Sequence, residues 1–174
     1  MRNCKQSNNH NKSKYLMDHK TELKQFLDNS MDKFNSLVMN ITEDQLESRI
    51  QDKEGGWTVI EILRHIQNSE KGLLLQINNI LSGGEGAPAD FDLAKYNKRS
   101  NEKMNEMTFE EVKIKMIENR TATLKILESI TDEQLELRGR HANLKEYSIL
   151  DFFKTISYHQ HSHVKKIIEE LGIS

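Results

Sequence analysis

The sequence predicts an all-α protein, a four-helix bundle with a long crossover between its second and third helices. Three observations carry that prediction. Apolar residues recur three or four apart in four long stretches, the period of one helical face. Five Ser or Thr residues are each followed three positions later by an acid or Gln, the spacing at which side chains and backbone cap a helix start reciprocally: Thr42/Gln45, Thr58/Glu61, Thr108/Glu111, Thr131/Gln134 and Ser148/Asp151. A single proline in 174 residues leaves these stretches unbroken.

Taken in order, Leu23, Phe26, Leu27, Phe34, Leu37, Val38 and Ile41 form the stripe of a first helix over 18–40. Thr42/Gln45 then opens a short turn. The second helix runs over 58–81, from its Thr58 cap through Val59, Ile62, Leu63, Ile66, Leu73, Ile77 and Ile80. About 26 residues follow, among them Gly83-Gly84-Glu85-Gly86-Ala87-Pro88, before the next cap. A crossover of that length permits parallel neighbours, and so long a stretch is expected to hold a short helix between Asp92 and Met104. The third helix covers 108–130, with Phe109, Val112, Met116, Leu124 and Leu127. Thr131/Gln134 opens another short turn, and the fourth helix covers 148–171.

These elements make one domain over 18–174, preceded by an Asn/Lys/Ser-rich stretch, 1–17, expected as a disordered tail without the apolar run of a secretory signal. Residues 1–20 hold five basic side chains against Asp18, so the net charge of −2 hides a body at −6. An acidic body lacks the basic stripe that nucleic acid demands, and nothing approaches a transmembrane span. The lone Cys4 allows neither an intramolecular disulfide nor a thiolate-rich zinc site, and a cytoplasmic protein is expected.

The most informative feature is on the last stripe, which reads Ile149, Phe152, Phe153, Ile156, His159, His163, Ile167, Leu171. Two imidazoles one turn apart on an apolar face are either satisfied core residues or paired donors for a divalent metal. A third histidine, His65, lies beside the second helix's stripe. The chain also repeats itself at a period near 90: Ile41-Thr42-Glu43-Asp44-Gln45-Leu46-Glu47 answers Ile130-Thr131-Asp132-Glu133-Gln134-Leu135-Glu136, and Trp57-Thr58-Val59-Ile60-Glu61 answers Tyr147-Ser148-Ile149-Leu150-Asp151. If an axis across the bundle relates the copies, helices two and four are antiparallel, and His65 comes level with His163 to within about one turn.

Gly56-Trp57-Thr58-Val59-Ile60-Glu61-Ile62-Leu63-Arg64-His65-Ile66, followed by Tyr158-His159 and His163-Val164, resembles the DinB/YfiT-like family of bacterial four-helix-bundle metalloenzymes. The resemblance covers roughly residues 18–171, and Phe91-Asp92 to Tyr96-Asn97 resembles that family's crossover. It implies that His65, His159 and His163 hold one divalent ion, with Zn or Ni foremost and Fe or Mn also compatible with imidazole. It further implies a homodimer. Relatives that include bacillithiol and mycothiol S-transferases imply a low-molecular-weight thiol and an electrophilic small molecule as substrates.

Three imidazoles leave a metal at least one open position, suited to hydroxide-type hydrolysis or to presenting a thiolate. A metal-dependent hydrolase and a non-catalytic metal-binding stress protein are the alternatives to a thiol S-transferase. A di-iron carboxylate bundle is excluded, because Ile62, Ile156 and Gln160 stand three before the histidines where Glu is required. Gln160 also stands where a zincin places its Glu base. Glu70, about a turn beyond His65, is a candidate acceptor or base, against the plainer reading of an exposed carboxylate. Asn97 and Arg120 are candidates to reach substrate, against structural roles. His161 should point away, and His10, His19 and His141 read as surface residues.

Overall fold

A computed structural model describes the chain over residues 4–50 and 56–173, with side chains from residue 19 onward. All five capping boxes form. Thr58, Thr108 and Ser148 open the long helices α3 (Val59–Leu81), α5 (Phe109–Ser129) and α7 (Ile149–Leu171), and Thr42 and Thr131 open the single turns α2 (Glu43–Leu46) and α6 (Asp132–Leu135). In each, the Ser or Thr oxygen accepts from the backbone N–H three residues on, and the acid or Gln there accepts in return. Helix α1 (Cys4–Asn40) starts before residue 18. Of the expected tail, residues 4–17 follow this helix in backbone, while residues 1–3 and the side chains through residue 18, including Cys4 and His10, lie outside the described residues. The crossover carries α4 (Leu93–Lys103), with Asp92 accepting from Lys95 N–H as its cap.

Two apolar clusters fix the direction of each helix. Leu23 and Leu27 of α1 pack in the first and Phe34 and Leu37 in the second; α7 runs the same way, from Ile149, Phe152, Phe153 and Ile156 to Val164 and Ile167. Helices α3 and α5 run oppositely, from Ile62, Leu63, Ile66, Val112 and Met116 in the second cluster to Leu73, Ile77, Ile80 and Leu127 in the first. Hence α3 and α7 are antiparallel neighbours, α3 and α5 parallel ones, and the long crossover is what allows two successive long helices to point the same way. No helix of the described residues is long and apolar enough to cross a membrane.

The sequence repeat reappears as geometry. Strands β1 (Arg138–Arg140) and β2 (Glu146–Ser148) pair antiparallel with Arg138 opposite Ser148, and the first copy shows the bridge Arg49 opposite Thr58. Ile50 N–H donates to Trp57 O at 2.9 Å, and Val59 N–H to Ser48 O at 3.0 Å, as Ile149 N–H does to Leu137 O at 2.9 Å. The hairpin is an element the sequence reading lacked. Its strands are three residues each, too short for an alternating pattern to declare itself.

Between the apolar clusters lies a polar layer supplied by all four long helices. Arg120 is 4% exposed and Glu70 3%. Arg120 Nε and Nη2 meet Glu70 Oε1 and Oε2 at 3.1 and 3.2 Å, Nη1 donates to Ser30 Oγ at 3.0 Å, and further bonds reach Leu27 O and Gln160 Oε1. Thr123 Oγ1 donates to Glu70 Oε1 at 2.6 Å and Ser30 Oγ to Gln160 Oε1 at 3.1 Å. Glu70 is therefore not an exposed carboxylate, because the stripe that buries α3 places it inward beneath Arg120.

Removing one partner of such a pair strands a buried charge, so Arg120→Met should cost about 3–5 kcal/mol in urea unfolding. Adding Glu70→Leu should restore part of that loss. A single-variant loss below about 1 kcal/mol would show that the pair does not anchor the bundle.

Candidate metal centre

The Thr58 cap sets the start of α3, and two turns in, its inward face delivers His65, 5% exposed. Across the antiparallel interface, α7 delivers His159 and His163, both half-buried. The three rings converge edge to face, with centroids 4.9 Å apart for His65 and His159, 5.4 Å for His65 and His163, and 4.6 Å for His159 and His163. Each offers one nitrogen, all within 4.8 Å of one another, and the Nε2 atoms of His65 and His159 are 3.1 Å apart. Nitrogens bound at about 2.1 Å with angles of 90–109° stand about 3.0–3.4 Å apart, so this donor set fits a divalent ion. Trp57, the residue before the cap, packs against His65 at 5.0 Å and closes one side.

Electrostatics favour the ligating form. Burial pushes the His159 imidazole well below its usual pKa, and the proximity of His65, His163 and His141 pushes it further, because a cation there would face other titratable rings. The neutral ring with a free lone pair is the form that binds metal.

Glu70, Arg120, His161 and His19 fall elsewhere. Gln160 is turned into the polar layer with Glu70 and Arg120, so none of these three faces the histidines. His161 points away: its pKa is lowered by partial burial and by Lys33 of α1 and Lys165. His19 sits 3.6 Å from Glu22 on α1.

His65 and His159 open onto a cavity of about 450 Å³ between α3, α7, the crossover and the hairpin. Leu73, Phe91 and Tyr96 supply apolar walls; Asn97 lines it from α4, and no Asp, Glu, Lys or Arg is among its lining residues. Tyr96 accepts from Asn68 Nδ2 at 2.9 Å and lies so close to α3 that a Cβ on Gly72 would stand 3.5 Å from its hydroxyl. His141, read from the sequence as a surface loop residue, is half-buried in this same wall. No stripe or motif marks it, since hairpin pairing alone carries it there.

The chain belongs to the DinB superfamily, which it matches over residues 25–167. No protein of curated function matches it. Among solved structures it is similar to an uncharacterised protein of Escherichia coli UTI89, at 16% identity and a TM-score of 0.70 over 89% of this chain and 95% of that one. It is similar to YfiT from Bacillus subtilis, described as a probable metal-dependent hydrolase with an unusual four-helix bundle topology, at 19% identity and a TM-score of 0.65 over 89% of each. It is also similar to the colibactin self-resistance protein ClbS, solved with double-stranded DNA, at 10% identity and a TM-score of 0.71 over 88% and 95%. At these identities the likeness is one of fold.

Measured by elemental analysis and titration calorimetry on untagged protein, His159→Ala should abolish tight binding of a divalent metal, and His161→Ala should leave it intact. Equal losses in the two variants would refute the assignment of the ligating face.

Proposed function

We propose that the protein is a metal-dependent enzyme that conjugates a low-molecular-weight thiol of the bacillithiol type to an electrophilic small molecule, with His65, His159 and His163 as the metal ligands. The observation that carries this reading is a three-histidine cluster, two of whose rings, His65 and His159, line a cavity whose lining holds no carboxylate. A bound divalent ion supplies Lewis acidity that lowers the pKa of a thiol or water at its open position.

The chain's own residues supply the rest. His159 is held neutral by its surroundings, Trp57 shields His65, and Leu73, Phe91 and Tyr96 offer the electrophile an apolar wall. Activation of water by a side-chain base would need a carboxylate near the histidines, but Glu70 is committed to Arg120 and Thr123. A thiol held by the metal would lose its proton without such a base, as would metal-bound water, and the uncharged, largely apolar cavity suits the electrophile. In the reaction a sulfur–carbon bond forms, the leaving group departs with its bonding pair, and the thiol proton passes to solvent.

Hydrolysis is the second reading, favoured by the likeness to YfiT. A purely structural metal is disfavoured by the open cavity. The DNA seen with ClbS does not carry over, because this chain's body is acidic. We place the enzyme in the cytoplasm as a homodimer, for which Ile114 and Ile117, both more than half exposed on one face of α5, supply an apolar surface.

The test is conjugation of bacillithiol, mycothiol or glutathione to monochlorobimane, where the carbon–chlorine bond breaks and chloride leaves. Metal-loaded protein should exceed the uncatalysed rate, chelation or His65→Ala should return it to background, and Cys4→Ser should change nothing. No excess rate with any thiol, together with turnover of ester or amide substrates, would replace the transferase with a hydrolase.

A further inference from the structure

The cavity has a second end. His141 stands at the turn of the hairpin, its ring stacked on Tyr147 at 4.6 Å and 13° and packed against Phe152 at 5.5 Å. Asn143 N–H donates to its Nδ1 at 3.1 Å. In a neutral imidazole the nitrogen that accepts carries no proton, so the proton resides on Nε2. Burial lowers the ring's pKa against a smaller opposing contribution from Asn143, which favours that neutral form near pH 7. No hydrogen-bond partner of Nε2 occurs among the described residues.

The backbone is arranged to hold this ring still. Leu144, at φ 65°, is the one non-glycine residue with positive φ among those described, a conformation that costs about 1 kcal/mol or more. The turn is closed by His141 N–H to Lys145 O and Leu144 N–H to His141 O, both at 2.8 Å. Strand β1 is stitched to the crossover by Arg140 N–H to Glu85 O and Ala87 N–H to Arg140 O, both at 2.7 Å. On α7, Phe152 beneath His141 is seven residues, about 10 Å, from His159.

We propose that the hairpin end of the cavity is a recognition subsite for a neutral hydrogen-bond acceptor, a carbonyl or amide oxygen that His141 meets with Nε2–H, on a ligand whose body is uncharged and whose other end lies at the three histidines. The absence of charged side chains from the lining sets the neutrality of the ligand's body, and the spacing of His159 and Phe152 sets its length. The proposal rests on the metal reading above, but not on the reaction assigned to it.

Cobalt-loaded protein reports a thiol at the metal through a sulfur-to-cobalt charge-transfer band. The probes are ω-mercapto-N-phenylalkanamides with two to five methylenes between sulfur and carbonyl, each paired with the N-phenyl amine in which CH₂ replaces the carbonyl. At the best spacer the wild type should prefer the carbonyl probe about three- to tenfold, the effect of one net hydrogen bond. His141→Phe, which keeps the stacking on Tyr147, should reduce that ratio to near one, and His141→Gln, which keeps a donor, should restore part of it. A purely structural role for His141 would shift both probes of a pair together and leave the ratio unchanged, which overturns the proposal. In the zinc-loaded protein, long-range ¹H–¹⁵N correlation should show His141 as the Nε2–H tautomer; an Nδ1–H tautomer also overturns it. No charge-transfer band with any probe overturns the metal reading and this proposal with it, whereas a band with ratios near one at every spacer in the wild type overturns this proposal alone.

Discussion

A guanidinium at 4% exposure has to find partners for its donors within the protein, and Arg120 finds them on three helices besides its own. It holds Glu70 of α3 with two bonds while reaching the Leu27 carbonyl and Ser30 on α1 and Gln160 on α7. Apolar side chains packing ridge into groove tolerate small slips along a helix axis, but a network of directed bonds does not. Glu70 lies five residues beyond His65, and Gln160 is next to His159. The bonds that fix the height of α3 against α7 at the polar layer therefore also fix the heights of the histidines, whose nitrogens lie within 4.8 Å of one another.

The repeat explains why the layer sits where it does. Glu70 and Gln160 occupy equivalent positions of the two copies and meet at the centre of the antiparallel α3–α7 pair. The same correspondence relates His65 to Thr155 and His159 to Ser69, and all four line the cavity. Of the two matching ends of the α3–α7 pair, only one carries imidazoles from those helices. At the other end the hairpin and the crossover stitched to it bring His141 over the groove. Symmetry built the frame, and its local loss set the three histidines apart.

Structures that share this frame at 10–19% identity are described in terms as different as metal-dependent hydrolysis and self-resistance with bound DNA. A shared fold leaves function to the residues of the site, and in this chain those include the cavity wall. Here that wall is uncharged, roofed by α4 and the segment around Phe91, and closed at one end by a strained turn. Those are properties of connections between helices, where insertions change a site without disturbing the core.

The sequence by itself determined what depends on neighbours within one turn or one helix face. The five capping boxes located the starts of three long helices and two single turns, apolar periodicity identified the buried faces, and the spacing of His159 and His163 put both on one of them. The internal repeat went further and brought His65 toward them. Only the tertiary structure decided the fates of Glu70 and Arg120, because a charged residue beside an apolar stripe looks solvated until a second helix supplies its counter-charge. His141 was decided in the same way. Its environment comes from strand pairing with the crossover and stacking on Tyr147 and Phe152, contacts whose energies arise between segments far apart in the chain and leave no periodic trace in it.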